Sequence, residues 1–505
     1  MKNQIARVLV FFLLSIFSRI TLAQDPAPTS PTPAAPSPQN TNTVDDPSEF
    51  SKFKESCGSF NFKNAGGCAE LLFTGHPLHI AMGSLAPQNG FGAGLAYVGF
   101  IRPTETWRPS WNADAVATPN GSWRAGVYFK FVHTPSGTII VHHGKPKIKS
   151  NLTELPEHTV VNLYAQAISL NKVTFFGLGP STTGAGRSYF GMREIVLGAN
   201  VVKPVFSRWN VSLLGEANGR FVDIRPSNGN GSPTIGALYD ETTAPGLSTQ
   251  PGFLQLGEAF RMRPIFWNDL LHLNYTAAYQ QFFSPSNNHY SFQRFNLDLS
   301  HDFALYKSTT RFYVPRDANG PDECAVDRGN DFPGCSLVKT EQIQNCEKIS
   351  GKGSTPCKAI SRDLQGSLSF RFFLSTSFTQ SDHVVPFYFQ PTLGGGDING
   401  SPALSSYQDY RFRAPNVMFL RQSFEHSIWG PLGFSLSADE GKVALNRGDL
   451  GSNPWIRSYS SGLTLRAGGF PQVYLLFSWG GNEGTHTIAS MNTSLLGGST
   501  RPSLY

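Results

Sequence analysis

Charge is scarce in this 505-residue chain: aspartate, glutamate, lysine and arginine together make up 15% of it. The formal net charge of +6 is spread along the sequence without a basic block. Because binding to nucleic acid through charge requires clustered cations, nucleic acid is not an expected partner.

Long apolar runs are also lacking. After the N-terminal region no segment reaches the roughly 18 uninterrupted apolar residues that a spanning helix needs, but a membrane-crossing strand needs only about 9–11. The 39 phenylalanines, 16 tyrosines and 50 glycines suit a barrel with a lipid-facing band and tight turns. A soluble, secreted β-protein could share this composition, so composition alone leaves both classes open.

Catalytic and metal-binding motifs are missing as well. Ser181 lies in Gly-Pro-Ser-Thr-Thr-Gly rather than in a Gly-x-Ser-x-Gly elbow, and no histidine and aspartate order supports a hydrolase. The glycines at 394–396 precede no helix, and the acidic segment 317–323 lacks the register of a calcium loop. We therefore expect no enzymatic activity, no cofactor and no metal.

The N-terminus has the pattern of an export signal. Lys2 and Arg7 precede a short apolar core at residues 8–17, and Ala23 closes a small-residue cleavage site. The pattern predicts a signal peptide over residues 1–23. A proline-rich linker over 24–42, a short periplasmic segment over 43–75 and a barrel over 76–505 complete the predicted organisation.

Six cysteines in an exported chain favour disulfides, since the compartment is oxidising and the number is even. The simplest pairing is sequential, but two other pairings are open among the last four cysteines. Metal binding is the alternative, and the Cys-x-x-Cys spacing typical of zinc sites is absent. Two cysteines lie in the 43–75 segment and four in an insertion over 316–360; the sequential pairs are Cys57–Cys68, Cys324–Cys335 and Cys346–Cys357.

Apolar and polar residues alternate with a period of two in many segments, which is typical of half-buried strands. Within 292–299, for example, phenylalanine and leucine alternate with arginine, asparagine and aspartate. An open sheet of this size would have to split or curl, and closure removes its edges. The predicted fold class is all-β, a transmembrane antiparallel β-barrel.

Residues 391–443 contain a glycine-rich segment, then Leu404, Ser405, Ser406 and Tyr407, and then two strand patterns. This stretch resembles the end of the BamA/TamA family of outer-membrane proteins, also called the bacterial surface antigen family. In that family a long loop carrying Leu/Val-Arg-Gly-Tyr/Phe folds back into the barrel. The two serines stand where the family has arginine and glycine.

The resemblance implies sixteen strands and a long inward-folded loop between strands 11 and 12, at 384–414. Strand 11 is expected at 364–376. Strands 12 to 16 are expected at 416–427, 432–444, 455–467, 472–480 and 486–496.

In the family the loop arginine pairs with an aspartate on strand 13, which Asp439 matches here, with Gly441 in the same pattern. Alternation directs Asp439 inward. A serine cannot form the forked ion pair that arginine makes with a carboxylate. Our hypothesis is that Arg411 or Arg413 reaches Asp439 instead; the alternative is that both arginines face solvent at the rim.

Strand parity places the 316–360 insertion on the periplasmic side, opposite the long loop. It is either a small stapled plug or docking element, or a passive loop. The 43–75 segment is too short for even one of the periplasmic POTRA domains that usually precede the family's barrel.

The resemblance implies a protein of the Gram-negative outer membrane that assists outer-membrane protein assembly or polypeptide translocation. Its expected partners are outer-membrane lipid, unfolded outer-membrane or exported protein clients, and a separate periplasmic partner. Clients would enter a seam between the first strand, near 79–85, and the last. The alternative is a static structural barrel or a passive pore for small solutes.

Overall fold

The computed structural model describes residues 78–491 except 101–105, 134–140, 143–144, 147–157, 228–230, 268, 316–334, 339–356, 398–401, 468–469 and 482. The predicted signal peptide, linker and 43–75 segment lie outside the described residues and stay predictions. Side chains of the 316–360 insertion also lie outside, so no disulfide is tested.

Sixteen strands make up most of the described chain. They are β1 Leu78–Ser84, β2 Phe91–Phe100, β3 Trp107–Ala117, β4 Trp123–His133, β5 Thr159–Phe175, β6 Ser188–Phe206, β7 Val211–Pro226, β8 Phe253–Met262, β9 Leu271–Phe283, β10 Phe292–Pro315, β11 Cys357–Phe378, β12 Asn416–Trp429, β13 Leu432–Ala444, β14 Ile456–Ala467, β15 Phe470–Gly481 and β16 Gly484–Met491.

Each strand pairs antiparallel with the next one in sequence, from β1 with β2 to β15 with β16. This confirms the predicted sixteen-stranded antiparallel barrel fold and the position of the long loop between β11 and β12. The bounds of β13 are those expected from the sequence. No ladder between β1 and β16 occurs among the described residues.

The remaining elements are short. Four-residue α-helices span Ile235–Leu238 and Asp449–Ser452, and single 3₁₀ turns span Gly184–Gly186, Ser207–Trp209, Asn288–Tyr290 and Phe387–Phe389. Two-residue strands pair Val141–His142 with Lys145–Pro146 and Thr392–Leu393 with Phe412–Arg413, while Ile265–Phe266 and Cys335–Val338 extend the main sheet. None of the described helices is long and apolar enough to cross a membrane.

The two faces of the sheet are the reverse of those of a water-soluble protein. On β7, Leu213 and Phe221 point outward and are 50% and 44% exposed, whereas Glu216, Asn218 and Arg220 point inward and are buried. The same alternation places exposed leucine, valine and phenylalanine on the outside of most strands. An apolar exterior around a polar interior is what a barrel in lipid requires.

Most exposed aromatic residues form two belts, one near each end of the strands. We call the end with the β11–β12 loop the cap pole and the other the turn pole. The turn-pole belt consists of Phe100, Trp107, Phe206, Trp209, Phe266, Trp267 and Trp429. The cap-pole belt consists of Phe91, Phe221, Phe283, Tyr459, Phe477 and Trp479. Aromatic side chains prefer the two membrane–water interfaces, so the apolar band between the belts is the lipid-facing region.

The sheet is curled, because one short segment of the β11–β12 loop contacts its first and last hairpins. Gln88, in the β1–β2 turn, donates a hydrogen bond from Nε2 to Asp409 Oδ2 at 3.4 Å. One residue earlier in the loop, the Gln408 N–H donates to Glu483 Oε2, in the β15–β16 turn, at 3.4 Å. The two edges of the sixteen-stranded sheet therefore contact the same loop, and the sheet curls around that loop.

Leu475→Arg tests whether the outer face lies in lipid. Leu475 is 52% exposed at the middle of β15, and Leu445 is 50% exposed just past the end of β13. In lipid vesicles we expect Leu475→Arg to lower the free energy of unfolding by about 2–4 kcal/mol and Leu445→Arg by about 0–1 kcal/mol. Urea titration measures both. Equal small losses would place the outer face in water.

Candidate functional site: the in-folded loop and its anchors

The connection between β11 and β12, residues 379–415, turns back into the lumen; we call it the in-folded loop. Its core is a small hairpin in which Thr392 pairs with Arg413 and Leu393 with Phe412. Gly394 has φ of +109°, and a Cβ there would lie 2.5 Å from Arg411 Cβ. Only glycine fits that position, which explains part of the glycine run seen in the sequence.

Asp439 is the anchor of this loop on the lumen wall. Its side chain is 1% exposed, and Oδ2 accepts a hydrogen bond from the backbone N–H of Leu404 at 2.9 Å. Arg421, on β12, donates from Nε to Oδ1 at 2.8 Å and from Nη2 to Oδ2 at 2.7 Å. The carboxylate thus binds a forked arginine on the wall and a main-chain donor on the loop.

The hypothesis that Arg411 or Arg413 pairs with Asp439 is wrong, and so is the alternative that both face solvent. Both residues are 5% exposed. Arg411 binds Glu483 and Thr182, and Arg413 Nη1 donates to the Phe387 carbonyl at 2.8 Å. Burial lowers the pKa of Arg413 to about 10, which leaves it a cation at neutral pH.

The register of β12 against β13 explains why Asp439 pairs with Arg421. β12 and β13 are joined by a tight turn at Gly430 and Pro431, and a one-residue shift in register between Ser427 and Trp429 places Arg421 directly opposite Asp439. Counting back from the turn alone would have given Gln422, but alternation along β12 directs position 421, and not position 422, inward. Arg413 belongs to the hairpin of the in-folded loop, and Arg411 lies directly before the second strand of that hairpin.

The motif residues that the sequence singled out do come together. Leu404 is fully buried in an apolar cluster with Leu393 and Phe412, and Tyr407 packs edge-on against Phe412 with ring centroids 5.1 Å apart. Ser405 and Ser406 are 1% and 0% exposed. The Ser406 N–H donates to Ser458 Oγ on β14 at 2.8 Å. Ser405 and Ser406 are therefore packed inside the barrel and do not face solvent.

Two glycines of the wall make room for the loop. A Cβ on Gly441 would lie 2.8 Å from Leu393 Cδ1 and 3.1 Å from Leu404 Cδ1. A Cβ on Gly481 would lie 2.7 Å from the ring of Tyr407. Both positions of close approach are therefore restricted to glycine.

Aromatic side chains close the cap pole on the β5–β10 side. Phe387, in the in-folded loop, contacts Phe175 and Phe190 edge-on, with ring centroids 5.2 and 5.1 Å apart. Phe389 contacts Phe253 at 5.0 Å. These rings belong to a continuous buried cluster that joins the loop to nine strands of the wall. The loop therefore fills the lumen near this pole.

Below these rings lies a buried polar network that sequence reasoning missed. Gln255 and Gln280 donate to Glu216 Oε1 at 2.6 and 2.7 Å, and Arg220 Nη1 donates to Glu194 Oε1 at 2.8 Å. The signal was present on β7, where residues 216, 218 and 220 are polar at a spacing of two. The network is internally satisfied, which makes this wall rigid.

Asp409 lies where the loop meets both ends of the sheet. Burial raises the pKa of this carboxyl above its usual value. The Gly396 N–H, the Gln88 amide and the charge of His486 on β16 oppose that shift. A residue of the last strand and a residue of the first turn thus act on one loop carboxyl. The described residues hold no cluster of three or more His, Cys, Asp and Glu suited to a metal.

Comparisons with known proteins give structural similarity alone. No protein-family model and no curated protein sequence matches the chain. BamA from Haemophilus ducreyi lacking POTRA domains 1–3 is 9% identical, with a TM-score of 0.41 over 83% of this chain and 69% of that chain.

Two other similar structures are CdiB proteins. CdiB from Escherichia coli is 11% identical, with a TM-score of 0.43 over 83% of this chain and 61% of that one. CdiB from Acinetobacter baumannii is 8% identical, with a TM-score of 0.40 over 82% and 56%. The chain thus spans less than two thirds of either CdiB chain. Similarity at this level assigns no function, and the barrel assignment rests on the strands, faces and loop described above.

Proposed function

We propose that this chain is an outer-membrane barrel that opens between β1 and β16 to insert or translocate polypeptide segments. The in-folded loop supports this proposal most directly. Because the loop and its aromatic neighbours fill the lumen at the cap pole, the lumen is not a free passage for solutes. A route for a polypeptide then requires movement of the wall, of the loop, or of both.

The boundary between β1 and β16 is the place where the wall opens at least cost. Every other pair of neighbouring strands is joined by a ladder of at least six residue pairs. Among the described residues no such ladder joins β1 to β16. The edge strands of a sheet offer N–H and C=O groups on which an incoming strand can be added.

The partners that fit this function are outer-membrane lipid around the apolar band and unfolded outer-membrane or exported proteins as clients. A separate periplasmic protein would deliver those clients. The competing function, a static barrel or a passive pore for small solutes, is disfavoured by the buried loop. The two functions differ in what they do to a client, which makes them separable by experiment.

The test uses the full chain reconstituted in liposomes with an unfolded outer-membrane protein added outside. We expect the chain to accelerate folding of the client and to show little steady conductance. Thr487→Lys places a charge on the outward face of β16, where it hinders strand addition, and should abolish the acceleration. Ala217→Lys makes the same change on β7, away from the edges, and should leave it intact. A steady open channel with no acceleration would favour the passive pore and contradict the proposal.

A further inference from the structure

Residues 408–411 of the in-folded loop lie between the first and last hairpins of the sheet. Toward the last hairpin, both donors go to one carboxylate in the β15–β16 turn. The Gln408 N–H donates to Glu483 Oε2 at 3.4 Å, and Arg411 Nε donates to Glu483 Oε1. The side chains of Arg411 and Glu483 are 6% and 14% exposed. A buried ion pair therefore attaches this hairpin to the loop.

Toward the first hairpin, the same segment contacts the β1–β2 turn. Gln88 Nε2 donates to Asp409 Oδ2, and the Tyr410 hydroxyl donates to the Pro87 carbonyl, each at 3.4 Å. Tyr410 is 1% exposed. Pro87 also approaches the loop so closely that a Cβ on Gly396 would lie 2.8 Å from its Cγ. The β1–β2 hairpin is therefore held to the loop mainly by packing, and less by these two long hydrogen bonds.

The segment is itself bonded to the β5–β6 loop. Arg411 Nη1 and Nη2 donate to the Thr182 hydroxyl and carbonyl, in the β5–β6 loop, at 2.7 and 2.6 Å. The β1–β2 turn is fixed to the same region, because Asn89 Nδ2 donates to the Lys172 carbonyl at 2.7 Å and Asn89 Oδ1 accepts from the Lys172 N–H at 3.1 Å. Among the described residues, the Glu483 carboxylate bonds to this segment alone.

We infer, on the basis of the proposed function, that residues 408–411 form a latch that holds the β15–β16 hairpin against the β1–β2 hairpin and so controls opening of the seam. The Arg411–Glu483 pair is the contact that must break for the seam to open, because the first hairpin is also bonded to β5. When the pair breaks, β16 is free to leave β1, and the wall beside Thr182 stays in place. Opening then requires the loss of this ion pair. The contact of the loop with Asp439 is separate and stays in place.

Hydrogen–deuterium exchange of the full chain in lipid nanodiscs tests the latch without any client. Breaking a buried pair should let the seam strands open more often. We expect Arg411→Ala to speed amide exchange in 484–491 and 78–84 by about tenfold or more, with β6 to β9 unchanged. Glu483→Gln keeps the size of the turn residue and should give a smaller increase in the same segments.

Two comparisons decide the outcome. Arg371→Ala breaks a lumenal ion pair with Asp298 between β10 and β11, and its effect should stay in those strands. Adding Glu483→Ala to Arg411→Ala should cause little further exchange at the seam, since both changes remove the same pair. Faster exchange confined to 402–415, with the seam unchanged, would overturn the latch. Faster exchange at the seam with no gain in client insertion would support the latch and count against the proposed function.

Discussion

Replacing residues 384–413 with a short glycine–serine linker is expected to raise the single-channel conductance of the reconstituted protein several-fold. This segment contains the hairpin of the in-folded loop, Leu404 and Tyr407, which pack against the lumen wall, and the aromatic residues Phe387 and Phe389, which close the cap pole. The strands on either side, β11 and β12, pair with each other directly over ten residue pairs. The wall should therefore survive the change while the lumen empties, and an emptied sixteen-stranded barrel leaves an aqueous channel.

Planar bilayer recordings measure this, with the fold verified by the strand signal in circular dichroism. A control replaces the exposed residues 446–448 of the β13–β14 loop, at the same pole, with the same linker. That control should leave conductance near that of the parent protein. If a folded barrel without the loop segment conducted no more than the parent, the loop would not be what closes the lumen.

Asp439→Ala is expected to be among the most destabilising single substitutions in the chain. It leaves the Arg421 guanidinium, which is 17% exposed, without its carboxylate and the buried Leu404 N–H without an acceptor. Removing one partner of a buried ion pair costs about 3–5 kcal/mol. Urea unfolding in lipid vesicles, extrapolated to zero denaturant, measures the loss.

The chain offers a matched control for this substitution. Arg371 and Asp298 form the same forked geometry on neighbouring strands, but their side chains are 39% and 26% exposed. Because water screens such a pair, Asp298→Ala should cost about 0–1 kcal/mol. Equal losses for the two aspartates would mean that the Asp439 site is hydrated and does not anchor the loop.

The strands were predictable because their signals are local. Alternation with a period of two directs Asp439 inward whatever its partner, and tight turns such as the one at Gly430 make consecutive strands pair with each other. The bounds of β13 and the position of the long loop after strand 11 followed from these signals together with the family resemblance.

The partners of the loop arginines could not be read the same way. Arg411 contacts Thr182 and Glu483, which lie 229 and 72 residues away along the chain. No local pattern encodes such a contact, because it depends on how the whole sheet curls. The partner of Asp439, in contrast, is 18 residues away across one turn. Alternation along β12 directs that residue inward, although the register shift near the turn has no signal in the sequence.

The curled sheet also constrains the order in which the molecule can fold. The contact between Gln88 and Asp409 joins residues 321 positions apart. Contacts of this separation form late, because a long stretch of chain must be ordered before they stabilise anything. Since the ten strands from β2 to β11 lie between the first turn and the in-folded loop, we expect this contact to form only after those strands have paired. The in-folded loop thus serves as a core around which the wall is wrapped.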